Sequence, residues 1–477
     1  MTGLLGGGTY ATNLIVNGTV NLNPSAAQTF SANIGGTNGT IVNSGVTTFT
    51  NQANLTNVAF SNTGTLSLFN NSATAYTYLN GGVTINNNGT LNAGNFRFSG
   101  PGTNIVNFNG GTATLAGLTV GNSAGVTTVD QITVNNGAVA NVGLISLGFY
   151  GGSNALVVNA GGTLNTTAGM YISQAANNSY SAITNNGVIS NTSGNISLNA
   201  QSGLNNTARL IQAGGTFYNA TGINIGGGNL SGATNSTALV DVTGGLLTNV
   251  GTVTLGYNNN GLTNTLQIDG GTAYVGNLAY GSGSATATGA ANTVNLNGGT
   301  LIVGGHITSA GVNNTNVFNW NGGTLQAGGS SSSFFNDGIA TVTLTSSNGT
   351  FNAAGFTNTI GASIGGTGVL TMTNSTGANA GALTLSGNNT FGGVNVQGGT
   401  LVVASSKALG NGTAVLNAGA LQVASSRVTN AITANGGALS FSGGGLTSSS
   451  ASVALNSGAS LSVGTGCLLY TSDAADE

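Results

Sequence analysis

The sequence has very few charged residues. Its 477 residues include 4 Lys and Arg, 7 Asp and Glu and 1 His, and charged side chains make up 2% of the chain. An ordinary soluble domain has roughly 25%. So little charge excludes a disordered polyelectrolyte and provides no basic patch for a nucleic acid. The 2 Pro residues exclude a collagen-like chain or a Pro-rich linker.

Long apolar runs are also missing, although hydrophobic residues make up 39% of the chain. They are dispersed among Asn, Thr, Ser and Gly, and no run approaches the about 18 residues that a membrane-spanning helix needs. The first residues, MTGLLGGGTYATNL, have neither the basic start nor the continuous apolar segment of a signal peptide. We expect either that an export signal lies upstream of this sequence or that the chain is not exported.

The single cysteine, Cys467, lies in a C-terminal segment that differs from the rest of the chain. Residues 467–477 read CLLYTSDAADE and contain three of the seven acidic residues, and the other four balance the four Lys and Arg. One back-translation of this segment resembles a transposase adapter used in sequencing libraries. We therefore expect 467–477 to be a non-native tail, and the genomic sequence to continue past Gly466 with the repeat restored.

Glycine is abundant, with 84 residues, and it marks a repeat. Residues 292–305 read NTVNLNGGTLIVGG, and altered copies stand at 264–277 and 316–329. The second glycine of each turn recurs at separations from 24 residues, Gly299 to Gly323, to 30 residues, Gly215 to Gly245. The full series is Gly111, Gly137, Gly162, Gly187, Gly215, Gly245, Gly271, Gly299, Gly323 and Gly349, with looser members Gly64, Gly89, Gly399, Gly419, Gly437 and Gly458.

Apolar side chains fall into columns around these glycines. They stand five and three positions before the glycine, as Val294 and Leu296 do before Gly299, and two positions after it, as Leu301 does. Apolar residues two apart indicate a strand with one buried face, and the Gly-Gly pair supplies the positive φ angles of a tight bend. Antiparallel hairpins could form such columns, but repetition of like residues favours a parallel solenoid. We predict an all-β chain, a right-handed parallel β-helix or β-solenoid with coils of about 20–30 residues, forming one domain over 1–466.

One segment resembles a known repeat family. Residues 383–423 contain SGNNTF, QGGTLVV, the loop SSKALGNGT and LNAGALQV in succession. This segment is similar to the autotransporter-associated β-strand repeat, also called the passenger-associated transport repeat, with a longer spacing between the aromatic residue and the Gly-Gly pair. The resemblance implies the passenger region of a large bacterial surface or secreted protein that is exported through a C-terminal outer-membrane barrel. It brings no catalytic residues.

The acidic residues of the repetitive part are the candidates for catalysis, and there are four: Asp130, Asp241, Asp269 and Asp337. Asp269 stands beside a turn, where an Asx side chain bonded to its own turn is expected. In other coils the same position is filled by Asn109, Asn297 and Asn321. Asp241 alternates with apolar residues and is expected to point outward. Because Asp241 and Asp269 occupy different columns, stacking does not pair two carboxylates as glycoside hydrolysis requires.

Two further residues, His306 and Trp320, occur once each. His306 follows a strand in GGHITS and is expected in a solvated loop, and a zinc site or a nucleophilic triad lacks the other residues that it needs. Trp320 belongs to the apolar column of Leu296, so core packing is favoured over an exposed platform for a sugar ring. We therefore expect no catalytic residue, metal or cofactor. The predicted register buries Val294, Leu296 and Trp320 and exposes Asn295 and Asn319.

Three functions from different classes remain open. The first is a non-enzymatic structural passenger, a β-helical scaffold or adhesin. The second is a β-helical polysaccharide-active enzyme, which needs acids and bases on one face. The third is an ice-binding or carbohydrate-binding solenoid, which needs a flat and regular threonine array, and the unequal coil lengths argue against such an array.

We predict the first function, at the cell surface or outside the cell and associated with an outer membrane. The chain has no membrane span, lipidation signal or basic patch with which to hold itself to a cell. Its expected partner is therefore a separate C-terminal outer-membrane β-barrel or sorting module. A glycan or another cell-surface ligand is a further expected class of partner, and no nucleic acid is expected.

Overall fold

The computed structural model describes residues 7–464, except 12, 24–25, 32–33, 37, 51–53, 69–75, 122–127, 175–176, 200–202, 228–234, 258–260, 282–288, 311–313, 337–340, 378–379, 425–426, 444–445 and 447–451. Asp337 and the predicted tail 467–477 therefore lie outside the described residues. The described part of the chain is built from short strands and contains no helix.

Fifty strands, β1 to β50 in chain order, are formed by the described residues. They are Gly8–Tyr10, Leu14–Ile15, Thr19–Leu22, Gln28–Phe30, Ile34–Gly35, Gly39–Asn43, Val46–Phe49, Asn54–Leu55, Val58–Asn62, Thr65–Leu68, Tyr76–Asn80, Thr84–Asn87, Thr90–Ser99, Gly102–Phe108, Gly111–Thr119, Thr128–Val134, Ala138–Leu147, Ser153–Val158, Thr163–Thr166, Met170–Ile172, Tyr180–Asn185, Val188–Asn191, Ile196–Leu198, Thr207–Gln212, Thr216–Asn219, Ile223–Ile225, Thr237–Val242, Leu246–Leu255, Thr263–Ile268, Thr272–Tyr280, Ala291–Leu296, Thr300–Val303, Ile307–Ser309, Thr315–Trp320, Thr324–Ala327, Ser331–Phe335, Thr341–Leu344, Gly349–Asn352, Thr357–Ile360, Ile364–Gly366, Val369–Thr373, Ala382–Leu385, Gly393–Val396, Thr400–Val403, Ala414–Leu416, Ala420–Val423, Ile432–Ala434, Gly437–Phe441, Val453–Leu455 and Ala459–Val463.

Parallel pairing stacks these strands into a β-solenoid of about 15 turns. One sheet has 15 strands, β3, β6, β9, β12, β14, β16, β18, β21, β24, β27, β29, β31, β34, β37 and β40. A second sheet has 33 strands, and β2 pairs with β5 in a small third sheet. Since a meander of hairpins requires antiparallel neighbours, the parallel pairing confirms the predicted all-β solenoid.

The chain divides into two compact units, each described by itself. Unit 1 comprises Met1–Leu266, Gly281–Ala291 and Gly311–Asn314, and unit 2 comprises Gln267–Tyr280, Asn292–Ala310 and Thr315–Glu477. Each unit has a core of fully buried aromatic side chains: Phe49, Phe60, Phe96, Phe98, Phe108 and Phe217 in unit 1, and Tyr280, Phe318, Trp320, Phe334, Phe335 and Phe351 in unit 2. The extent of the predicted single domain, 1–466, stays a prediction.

One turn of unit 2 shows how the sequence produces a coil. The segments β34, β35 and β36 follow one another, and their burial alternates along β34 and β35 because successive side chains point to opposite faces. Trp320 is stacked on Leu344 of the next turn, and both are 0% exposed. Leu296 is also 0% exposed. Asn319 lies on the other face and is half-buried, and its Nδ2 donates to Asn295 Oδ1 at 2.9 Å. The predicted buried column is confirmed, whereas the two Asn residues are less exposed than expected.

The turn at Gly299 requires glycine for two separate reasons. Its φ angle is 57°, in the left-handed region that disfavours residues with a Cβ atom. A Cβ atom here would also lie 2.6 Å from Gly270 C and Gly271 O of the preceding turn. Glycine therefore sets both the bend and the close approach of two successive turns.

Coil length varies far more than strand register, which shifts in the pairing of β36 with β39, between Ser331 and Phe335. The offset between paired residues ranges from 18, for Ala414 with Ile432, to 30, for Thr207 with Thr237. Within these two strand pairs the residues match one for one. The differences in length therefore lie in the connecting segments.

The coil changes after Gly366, where β40 ends the 15-stranded sheet within the described residues. From β41 onward the strands alternate between two ladders of the 33-stranded sheet, so each turn has two strand segments. Gly349 pairs with Leu370 and continues in the first ladder, whereas Leu401, after Gly399, pairs with Leu383 in the second ladder. The prediction that Gly399 and the glycines after it extend the series of Gly349 is therefore wrong, because the glycine turn has moved to the other ladder.

Candidate functional site

Asp269 belongs to an outer ladder of polar side chains in unit 2. Its Oδ1 accepts from Asn297 Nδ2 at 2.7 Å, and its Oδ2 accepts from Gln267 Nε2 at 2.7 Å. Asn297 Oδ1 in turn accepts from Asn321 Nδ2 at 3.2 Å. The prediction that these residues share one column is confirmed. The predicted bond from Asp269 to its own turn is wrong. Its carboxylate instead accepts hydrogen bonds from the side-chain amides of Asn297, in the next coil, and Gln267.

Asp130 lies in the core of unit 1 and is 0% exposed. Its Oδ1 accepts from Asn104 Nδ2 at 2.8 Å, and its Oδ2 accepts from the backbone N–H of Gly121 at 3.3 Å. Burial raises the pKa of the Asp130 carboxyl group above its usual value, and the hydrogen bonds from Asn104 and Gly121 oppose this shift only in part. Because it has no exposed surface, this carboxyl group cannot reach a polysaccharide substrate.

Asp241 is also enclosed. It stands between Val240 and Val242, which are 1% and 0% exposed, but it is itself only 8% exposed. The direction of its side chain stays a prediction, and an outward direction would not expose Asp241, since the residue is buried. Ile211 is its partner in the preceding strand.

The acidic residues do not form a catalytic pair in unit 1. Asp130 is in β16 and Asp241 is in β27, four strands apart in the 15-stranded sheet. Four strand spacings correspond to roughly 19 Å, well beyond the separation that either class of glycosidase uses. No group of three or more His, Cys, Asp or Glu side chains that could hold a metal ion occurs among the described residues.

His306 and Trp320 lie where the sequence predicts. His306 is exposed just before β33, and its backbone N–H donates to Asn277 Oδ1 at 3.1 Å. Trp320 is 0% exposed and its Nε1 donates to Gly323 O at 2.9 Å. Trp320 is therefore a core residue, and the alternative of an exposed sugar platform at this residue is wrong.

Exposed aromatic rings occur elsewhere, at positions that sequence reasoning did not select. In unit 1, Tyr150 is 45% exposed, and Tyr180 and Tyr218 are each 42% exposed. Tyr218 could have been found from its strand, TFYN, in which it alternates with the buried Phe217. These three tyrosines are exposed rings of unit 1 that a sugar could reach.

Buried Asn ladders are a second feature that sequence reasoning missed. In unit 1, Asn191 Nδ2 donates to Asn219 Oδ1 at 2.6 Å, and Asn219 Nδ2 donates to Asn249 Oδ1 at 2.5 Å. All three residues are 0% exposed. The signal was an Asn two positions after an inward apolar residue, recurring from coil to coil.

A continuous threonine column runs along unit 2. Successive strands pair Thr272 with Thr300, Thr300 with Thr324, Thr324 with Thr350 and Thr350 with Thr371. The argument that unequal coil lengths would break such an array is therefore wrong, because the connections absorb the differences. The array is a single column, since the outward residues two positions further along are Tyr274, Ile302, Gln326, Asn352 and Thr373.

The segment that resembles a repeat family has structural roles for its motif residues. Asn389, from SGNNTF, is 1% exposed; its Oδ1 accepts from Ile364 N at 2.8 Å and its Nδ2 donates to Ala408 O at 2.7 Å. Phe391 is 0% exposed, and a Cβ atom on Gly410 would lie 2.7 Å from its ring. The aromatic residue and the loop glycine thus fit against each other in adjacent turns.

Comparisons with protein-family models, with curated proteins and with solved structures find no match to this chain. Among the described residues no helix has the length and apolar character to span a membrane.

Proposed function

We propose that this chain is a non-enzymatic structural passenger of a bacterial autotransporter-like protein. It is a β-helical scaffold or adhesin at the cell surface or outside the cell, associated with the outer membrane. Its partner is a C-terminal outer-membrane barrel or sorting module, and its ligand is a glycan or another component of a cell surface.

The observation that carries the proposal is the packing of residues 383–423. The strands β42, β44, β46 and β48 pair one for one, which aligns Leu383, Leu401, Leu421 and Leu439. Asn389, Phe391 and Gly410 hold adjacent turns together. The motif residues that resemble the passenger repeat thus serve coil stacking, which is the role expected of a scaffold.

Composition supports export through a narrow pore. A chain with 2% charged residues loses little hydration energy when it leaves bulk water, and its single cysteine cannot close a disulfide loop within the chain before it crosses. Each emerging coil can dock on the previous one and bury its apolar columns. Stacking outside the membrane would therefore draw the chain forward.

The test uses the uninterrupted gene with both flanks, expressed in a bacterium that has an outer membrane. An epitope is inserted at the exposed turn of Ser346 and Ser347. We expect the epitope to be accessible to antibody on intact cells, and to lose this accessibility when the downstream module is deleted. Retention inside the cell with the complete gene, or a gene that ends within a coil or two of Gly466 without such a module, would refute the proposal.

The threonine column favours a second candidate, the binding of ice or an extended neutral glycan by unit 2. Five threonines about 4.8 Å apart offer hydroxyl groups in one straight line. Thermal hysteresis and glycan-array binding of the purified chain are the measurements. A signal that Thr324→Lys abolishes and Asn319→Lys preserves would favour this candidate, and no signal in either assay would reject it.

A further inference from the structure

A buried polar column crosses four neighbouring strands of unit 1. Asn104, Asp130, Asn154 and Ser181 are paired in succession by β14, β16, β18 and β21. All four are 0% exposed. At one end, Asn104 Nδ2 donates to Asp130 Oδ1 at 2.8 Å, and at the other, Asn154 Nδ2 donates to Ser181 Oγ at 3.3 Å.

The link between Asp130 and Asn154 lacks a donor. Asn154 Oδ1 is buried and accepts no hydrogen bond from the described residues. Asp130 Oδ2 lies 3.3 Å from Gly121 N, and a Cβ atom on Gly121 would lie 3.1 Å from Asn154 Oδ1. Gly121 therefore lies beside both the Asp130 carboxyl group and the Asn154 amide group, whose Nδ2 would be 3.3 Å from the same Cβ position. Two buried acceptors side by side repel each other unless a hydrogen atom lies between them.

No neighbouring charge compensates a carboxylate at this position. The strands β14, β16 and β18 read GTNIVNF, TVDQITV and SNALVV, and Asp130 is their single titratable residue. Of the strands of the other sheet that pack against β14 or β16, β15 and β17 read GTATLAGLT and AVANVGLISL and have no titratable residue. The third, β11, reads YTYLN and has Tyr76 and Tyr78 but no Lys, Arg or His. An ionised Asp130 would be an unpaired buried charge, which is costly in a protein interior.

We propose that Asp130 is a neutral carboxylic acid in the folded protein and donates its proton to Asn154 Oδ1. This hydrogen bond links all four side chains of the buried polar column, Asn104, Asp130, Asn154 and Ser181, to one another. The Asp130 carboxyl group occupies the position that an amide side chain has in an Asn ladder. Unlike an amide, it can lose the proton that it donates.

Stability should then decrease as the pH rises. Burial raises the pKa of folded Asp130 above the ordinary value of 3.8, so the folded state holds a proton that the unfolded state has released. The stabilisation is complete below about pH 3.8 and is lost as the pH rises through the higher pKa of the folded state. Unfolding of unit 1 should become easier across this window.

Asp130→Asn is the first test, because an amide supplies a permanent donor to Asn154. It cannot accept from Gly121 N, so we expect a lower urea midpoint than wild type at about pH 4 and a gap that narrows toward about pH 8. Asp269→Asn, in the exposed ladder, is the matched control and should keep the wild-type pH slope. A gap for Asp130→Asn that stays constant or widens with pH would overturn the proposal.

The second test observes the proton directly and needs only wild-type protein if the variant does not fold. The infrared C=O band of a protonated carboxylic acid should persist at neutral pH in the folded protein and vanish on unfolding. Where Asp130→Asn folds, the band should be missing from its spectrum. Absence of the band from folded wild type would show an ionised carboxylate and overturn the proposal. Loss of the band on addition of CaCl2, together with a rise in the urea midpoint, would show a cation site instead.

Discussion

At the residue scale, the amide side chain is the characteristic polar group of this protein. One Asn offers an acceptor and a donor, so it can accept from one coil and donate to the next. The ladder Asn191, Asn219, Asn249 does so in the core, where water cannot replace a lost partner. The ladder of Asn141 and Asn165 does so on the half-buried face. The same type of hydrogen bond should therefore contribute different amounts to the free energy of unfolding in the core and on the half-buried face.

Asn219→Ala should cost much more stability than Asn165→Ala. The first change removes the donor to the buried Asn249 Oδ1 and the acceptor of Asn191 Nδ2, at about 1–3 kcal/mol for each buried group left unpaired. The second removes a half-buried bond of about 0.5–1 kcal/mol. Urea unfolding of both variants measures the difference, and equal losses would show that the core ladder is no more important than the outer one.

Sequence reasoning predicted side-chain columns better than side-chain partners. Period-two alternation placed Leu296 and Trp320 in the core because it depends only on the strand. It could not show whether Asp269 bonds its own turn or the next coil, because both lie within reach of a short side chain. The burial of Asp130 depends on which coil lies beside it, which is a property of register rather than of the local sequence.

At the element scale, the stability of a strand depends on which of its side chains face the core, and the stability of a turn depends on its glycine. Each dependence can be tested with a pair of substitutions that introduce the same residue type at two different positions. The sequence located the turns, but it did not reveal that Gly399 lies in a different ladder from Gly349, because each is simply a turn glycine followed by threonine.

Leu296→Asp should destabilise unit 2 by several kcal/mol, because it buries an unpaired charge at a residue that is 0% exposed. Asn295→Asp places the same charge one residue earlier, on the half-buried face. It should be nearly silent, because Asn295 already serves as the acceptor for Asn319 Nδ2. Thermal unfolding of the pair is the measurement, and similar shifts would rule out the register.

Gly299→Ala tests the turn. Alanine in the left-handed region costs about 1–2 kcal/mol, and at Gly299 the Cβ atom would also meet Gly270 C and Gly271 O at 2.6 Å. Gly137→Ala is the control, because Gly137 has a φ angle of 78° but open space around its Cβ position. We expect the larger fall in unfolding midpoint at Gly299. Equal falls would mean that the backbone angle alone requires glycine.

At the scale of the whole molecule, cohesion is almost independent of ion pairs. The chain has 4 Lys and Arg and 7 Asp and Glu in 477 residues. The sequence therefore predicted the all-β class reliably, because stability has to come from stacked apolar and amide columns that are visible as a repeat. It could not predict the loss of the third strand segment after Gly366, which depends on how the coil closes in space.

The unfolding midpoint should not change between about 0.01 and 0.15 M NaCl, because screening acts on interactions between charges. Thermal unfolding across this range is the measurement, with wild type before and after removal of 467–477 to separate the charged tail from the repeat. A clear dependence on salt after removal of the tail would show that the few remaining charges stabilise the fold.

The one-for-one pairing of both short and long coils has a consequence for the gene. Coils of 18 and of 30 residues both pair one for one with their neighbours, so the pairing surface that a coil presents does not depend on its length. Unequal recombination between similar DNA segments can then delete or duplicate one coil, and the coils on either side meet a partner of the same kind. The length of the protein becomes a heritable quantity that changes in whole coils, and selection can adjust it without inventing a new fold.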